Sequence, residues 1–78
     1  MVMYRDFAMR RGRKLILTGF VENMEDGRVH LIAEGEELSL ANYVEELKKG
    51  PALAHVEDVE VQWGDMRGEH DKFSIVYR

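Results

Sequence analysis

Arg5 and Asn23 are side chains of types that could do chemistry, and the chemistry they suit is the handling of a small oxyanion. A guanidinium is a fixed fork of donors that grips two oxygens at once, where a lysine offers only a point charge. A carboxamide carries both a donor and an acceptor, so it can orient a water while stabilising charge that develops nearby. Each residue also has a plainer reading: Arg5 as a solvated helix residue, Asn23 as a turn former that bonds its own backbone. His30, His55 and His70 stand far apart with no i, i+4 pair, so no metal site is expected. The chain has no cysteine, which excludes a thiolate site and a disulfide framework and fits a reducing compartment.

The charge balance agrees with a small anion. The net charge is −4, from 15 acidic and 11 basic residues, which argues against nucleic acid as a partner because an acidic chain gains nothing from counterion release. The basic residues are concentrated in the first segment, as Arg5, Arg10, Arg11, Arg13 and Lys14, ahead of a stretch rich in Glu34, Glu36, Glu37, Glu45 and Glu46. Such a local patch suits a small anion better than a long polyanion groove. No apolar run reads as a signal peptide or membrane span, and a cytoplasmic protein without a membrane partner is expected. At 78 residues the chain reads as one domain, 1–78.

Around Arg5 and Asn23 the pattern predicts a helix, a hairpin, a second helix and two strands. Tyr4, Phe7, Ala8, Arg11 and Leu15 share a helical face, with Gly12 as its weak point. Leu17, Gly19 and Val21 alternate with polar or outward positions, and Asp26-Gly27 then reads as a tight hairpin turn with positive φ at both positions. Val29, Leu31 and Ala33 line the returning strand. Leu40, Tyr43, Val44 and Leu47 mark the second helix, with Ser39 as its cap and Gly50-Pro51 as its stop. Val59, Val61 and Trp63 predict a strand at about 55–63, and Phe73, Ile75 and Tyr77 a last one. The aromatics, Tyr77 included, are expected in the core. The order is that of an α+β ferredoxin-like sandwich, an antiparallel sheet with two helices on one face, whose first strand is missing.

Four segments carry a family resemblance. Val2-Met3-Tyr4-Arg5-Asp6-Phe7 resembles the tail of a phosphate-binding loop, Gly-x-Val-Gln-Gly-Val-x-Phe-Arg, running into a helix. Leu17-Thr18-Gly19-Phe20-Val21-Glu22-Asn23 with Asp26-Gly27-Arg28-Val29 is similar to a Gly-Trp-Val-x-Asn-x-x-Asp-Gly-x-Val block. Ala33-Glu34-Gly35 and Leu47-Lys48-Lys49-Gly50-Pro51 follow in the same order. Together they resemble the acylphosphatase family. That resemblance implies hydrolysis of the carboxyl–phosphate bond of a small acyl phosphate, with no cofactor, metal or covalent intermediate. It matches Arg5 to the arginine that clamps the phosphate and Asn23 to the asparagine that positions the attacking water. Val2, Met3 and Tyr4 fall where backbone N–H groups bind the substrate.

Two departures from the family pattern raise further expectations. The first strand and most of the loop are absent, Met1 standing at the last loop glycine, so hydrolysis by this truncated form is expected to be weak or lost. Ile16 replaces the glycine that ends the first helix in a left-handed conformation, so that helix end is expected to be rebuilt. The rival expectation is a non-catalytic module that self-associates, a homodimer forming through unpaired strand edges.

Overall fold

A computed structural model describes residues 2–51, 56, 59–62, 64 and 67–77. In chain order the elements are α1 (Val2–Lys14), β1 (Thr18–Asn23), β2 (Val29–Glu34), α2 (Glu37–Lys49) and β3 (Phe73–Val76). The strands form one sheet in the order β2-β1-β3. β1 and β2 pair antiparallel from Thr18↔Glu34 to Asn23↔Val29. β3 runs parallel to β1, from Gly19↔Phe73 to Glu22↔Val76, so the sheet is mixed where an antiparallel one was expected. With its two helices it has the ferredoxin-like fold of the expected class.

α1 starts two residues before Tyr4 and passes through Gly12 without a break. The reason for that glycine lies on β3: a Cβ at position 12 would sit 2.7 Å from the Phe73 ring. Its absence lets Phe73, fully buried, press against the helix. The core is Tyr4, Ala8, Leu17, Val21, Tyr43, Leu47 and Phe73. Two tyrosines cross-link the helices within it. The Tyr43 hydroxyl of α2 donates to the Ala8 carbonyl of α1 at 2.6 Å, and the Tyr4 hydroxyl of α1 donates to the Leu47 carbonyl of α2 at 2.7 Å. Burial pushes both phenols up from their ordinary pKa, so both remain donors.

The C-terminal end of α1 corrects the expectation of a rebuilt cap. Ile16 takes the left-handed conformation itself, with φ at 60°. The Leu17 N–H donates to the Gly12 carbonyl at 2.9 Å and the Ile16 N–H to the Arg13 carbonyl at 3.0 Å. These are the two bonds of a Schellman cap, closed here around a β-branched residue. An L-residue in this conformation costs about 1–2 kcal/mol. The cap bonds and the burial of Leu17 offset that cost, and the isoleucine side chain, 87% exposed, contributes no burial in return.

Two smaller local readings also change. The hairpin has positive φ only at Gly27, not at Asp26, and its N–H donates to the Met24 carbonyl at 3.1 Å. The Met24 N–H donates to the Arg28 carbonyl at 2.7 Å, so the connection is a three-residue turn with a glycine bulge. Asp26 accepts the Arg28 N–H at 3.0 Å and its guanidinium at 2.8 Å, which holds its carboxyl below the usual range. In α2, Glu36 rather than Ser39 is the N-cap, because the Leu40 N–H donates to the Glu36 carbonyl at 2.9 Å and draws Ser39 inside the first turn. Gly50 closes α2 as expected, with φ at 70° and its N–H on the Glu46 carbonyl.

The strand expected at about 55–63 is not formed at residues 59–62, and the rest of that run, except Val56, lies outside the described residues. Both edges of β1 are occupied by β2 and β3, and among the described residues no strand pairs with the outer edge of β2. The Glu34 carboxylate accepts the N–H groups of Arg67 and of Gly68, which ties the chain before β3 to the end of β2. The Arg67 N–H is the main cause of a Glu34 carboxyl held below its ordinary range.

Candidate active site

The lengths of α1 and β1 decide where Arg5 and Asn23 stand. A helix of 13 residues rises about 20 Å, and a strand of 6 residues advances about the same distance. The Schellman cap reverses the chain between them. Asn23, the last residue of β1, therefore returns level with the first turn of α1. Val21 lies buried in the helix-facing core, and Asn23, two residues on, shares its face of the sheet.

β3 brings a third residue to this end. It runs parallel to β1 and its last pair is Glu22↔Val76, so Tyr77, the next residue, follows β3 at the end of the sheet where Asn23 ends β1. The Arg5 guanidinium carbon lies over the Tyr77 ring, 4.7 Å from its centroid. Tyr77 is 72% exposed, so the expectation of a core residue is corrected: the chain leaves the sheet at Val76 and the ring turns to Arg5. No sequence signal marks this residue, since the parallel pairing of β1 with β3 cannot be read from alternation alone.

Polar groups at this end are left without protein partners. The Arg5 Nε and the Asn23 Oδ1 are both buried, and neither has a hydrogen-bond partner among the described residues. A buried polar atom left unpaired costs about 1–3 kcal/mol. The first N–H groups of α1 have no intrahelical acceptors, and no acidic residue stands in its first turn to compensate the positive pole. At Met3 and Tyr4 the side chains are engaged elsewhere or open: Tyr4 is in the core with its hydroxyl on Leu47, and Met3 is 68% exposed. Val2, Met3 and Tyr4 stand in the first turn of α1, where backbone N–H groups have no intrahelical acceptors. Met1 lies outside the described residues.

The histidines are elsewhere. His30 and His70 each lie edge-on to Phe20, on the sheet face opposite Val21, and His30 approaches Glu22 at 3.3 Å. His55 lies outside the described residues. The candidate site thus rests on an arginine, a carboxamide, an aromatic ring and bare N–H groups at a helix N-terminus, which together suit a phosphate-sized anion.

Comparison with known proteins agrees. The acylphosphatase family model matches residues 1–75, and the chain belongs to the acylphosphatase family. An acylphosphatase of Thermus thermophilus is 49% identical over 67 residues, which span 86% of this chain and 76% of that protein. One from Salinibacter ruber is 40% identical over 74 residues, 95% of this chain and 78% of its own. The crystal structure of the Bacillus subtilis acylphosphatase superimposes with a TM-score of 0.91 at 39% identity, covering 97% of this chain and 84% of that one. The family and enzyme class expected from the sequence are therefore correct.

Proposed function

We propose that this protein hydrolyses the carboxyl–phosphate bond of small acyl phosphates, with Arg5 and the N–H groups of Val2, Met3 and Tyr4 holding the phosphate and Asn23 positioning the water. The observation that carries this reading is the pair of buried, unpartnered polar atoms, Arg5 Nε and Asn23 Oδ1, beside a helix N-terminus with no carboxylate in its first turn. In the reaction the water oxygen bonds to phosphorus as the bond from phosphorus to the carboxyl oxygen breaks. The carboxylate leaves as an anion, and the phosphate product keeps both hydrogens of the water. A leaving group of pKa about 4 needs no proton from the protein, so a site without a titratable acid suffices. The remaining work is positioning and electrostatic stabilisation, which a guanidinium, a carboxamide and backbone donors supply.

Phosphate is held in this reading largely by loop N–H groups, so a longer loop ahead of α1 is expected to speed hydrolysis of an acyl phosphate. Adding a preceding strand and Gly-x-Val-Gln-Gly loop raises it. The test is release of phosphate from a simple acyl phosphate by both chains. Equal activity from the 78-residue chain, verified as a monomer, overturns the loop's part in the grip, and no activity from either chain overturns the hydrolase reading. A second reading rests on the outer edge of β2, which pairs with no strand among the described residues. It makes the protein a self-associating one, with a second copy supplying the missing pairing. Light scattering at micromolar concentration tests it, and a single monomeric species ends it.

A further inference from the structure

We propose that Tyr77 is a positioning residue, whose ring fixes the Arg5 guanidinium in place for the incoming anion. The proposal rests on the reading of Arg5 as the phosphate clamp. An arginine side chain has several rotatable bonds, so a clamp of this kind binds well only if something holds it ready. Among the described residues no carboxylate does so: the ion pairs involve Arg10, Arg11, Arg28, His30 and Lys48, and none includes Arg5. Among the described residues, the Tyr77 ring reaches its guanidinium, at 4.7 Å from the centroid.

The chemistry of that contact suits the task. A carboxylate would occupy the guanidinium donors and repel a phosphate. An aromatic face attracts the cation through its quadrupole and takes none of the hydrogen bonds the phosphate needs. Tyr77 is 72% exposed, so the ring contributes little to the core. It follows directly on β3, whose last pair with β1 is Val76↔Glu22, one residue before Tyr77 and Asn23. The β1–β3 pairing thereby brings Asn23 and the ring under Arg5 to the same end of the sheet.

The experiment measures binding of inorganic phosphate to the whole chain by phosphorus NMR, with thermal melting of each variant as the check on folding. Tyr77→Leu, which keeps bulk and removes the ring, is expected to weaken phosphate about two- to fivefold without shifting the melting temperature. Tyr77→Phe keeps the ring and is expected to keep the affinity. Arg5→Lys is the reference for the clamp itself. If Arg5→Lys weakens phosphate but Tyr77→Leu and Tyr77→Phe bind alike, the clamp reading survives and the role of Tyr77 is overturned. If Arg5→Lys binds as tightly as the unsubstituted chain, or that chain shows no saturable binding, the clamp reading fails and the proposal with it.

Discussion

The two ends of α1 are finished in opposite ways. At the C-terminal end the fold satisfies itself: Ile16 and Leu17 close the Schellman cap, Arg11 pairs with Glu46, and the Arg13 Nε donates to the Phe73 carbonyl at 2.8 Å. Arg11, Arg13 and Lys14 also place positive charge at the negative pole of the helix. At the N-terminal end no acidic residue answers the positive pole, and Arg5 Nε and Asn23 Oδ1 are buried without partners among the described residues. The contrast separates polar groups that bond within the protein from polar groups that have no partner among the described residues. Changes at the two ends should therefore alter different measurements.

The largest effect is expected from Arg5→Lys. A lysine keeps the charge but loses the fork, so hydrolysis in any active form should fall about 10²–10³-fold and inorganic phosphate should inhibit less. Steady-state rates with phosphate as inhibitor check this. Asn23→Ala comes next. Turnover should fall about a hundredfold through a misplaced water, while the inhibition constant of phosphate stays nearly unchanged. Equal loss of phosphate affinity in both variants would show that the two residues do not divide the roles as proposed.

Tyr43→Phe tests the packing that neither end of α1 contains. It removes the hydroxyl that bonds the Ala8 carbonyl but keeps the ring against Phe73, whose centroid is 5.7 Å away. The expected cost is about 1–1.5 kcal/mol, the usual worth of such a bond. In a domain of this size that lowers the melting temperature by about 4–8 °C per kcal/mol. Phosphate affinity should be unaffected.

The parts of the fold and site that the sequence showed were those written locally. The periodicity of Tyr4, Ala8, Tyr43 and Leu47 placed both helices and their buried faces, and Asp26-Gly27 marked the hairpin. What stayed hidden depended on partners distant in the chain. Gly12 looked like a weakness because Phe73, the reason for it, is 61 residues away. Tyr77 looked like core because alternation does not say where a strand ends or which neighbour its last residue meets. Val59 and Val61 alternate as a strand does, but residues 59–62 form none, because alternation does not say which neighbour a run meets. At the site, Arg5 and Asn23 stood out through family motifs, while the ring under Arg5 required the parallel register of β1 with β3.

Ile16→Gly is the smallest change and the sharpest test of the two-ended design. The left-handed conformation at φ 60° costs an isoleucine about 1–2 kcal/mol, and glycine adopts it freely. Glycine gives back part of that gain through the greater freedom of its unfolded chain, about 0.5–1 kcal/mol. The isoleucine side chain is 87% exposed, so little burial is lost when it is removed. The net expectation is a stabilisation of about 1 kcal/mol and a melting temperature higher by about 4–8 °C. Ile16→Val, which stays β-branched, should give none of it. Position 16 lies about 20 Å along the helix from the first turn, far beyond the range at which substitutions usually couple. Phosphate affinity and turnover should therefore match the unsubstituted chain. A stabilised variant with altered phosphate affinity would mean that the cap sets the aim of Arg5 through the rigid helix, and that the two ends of α1 are one device.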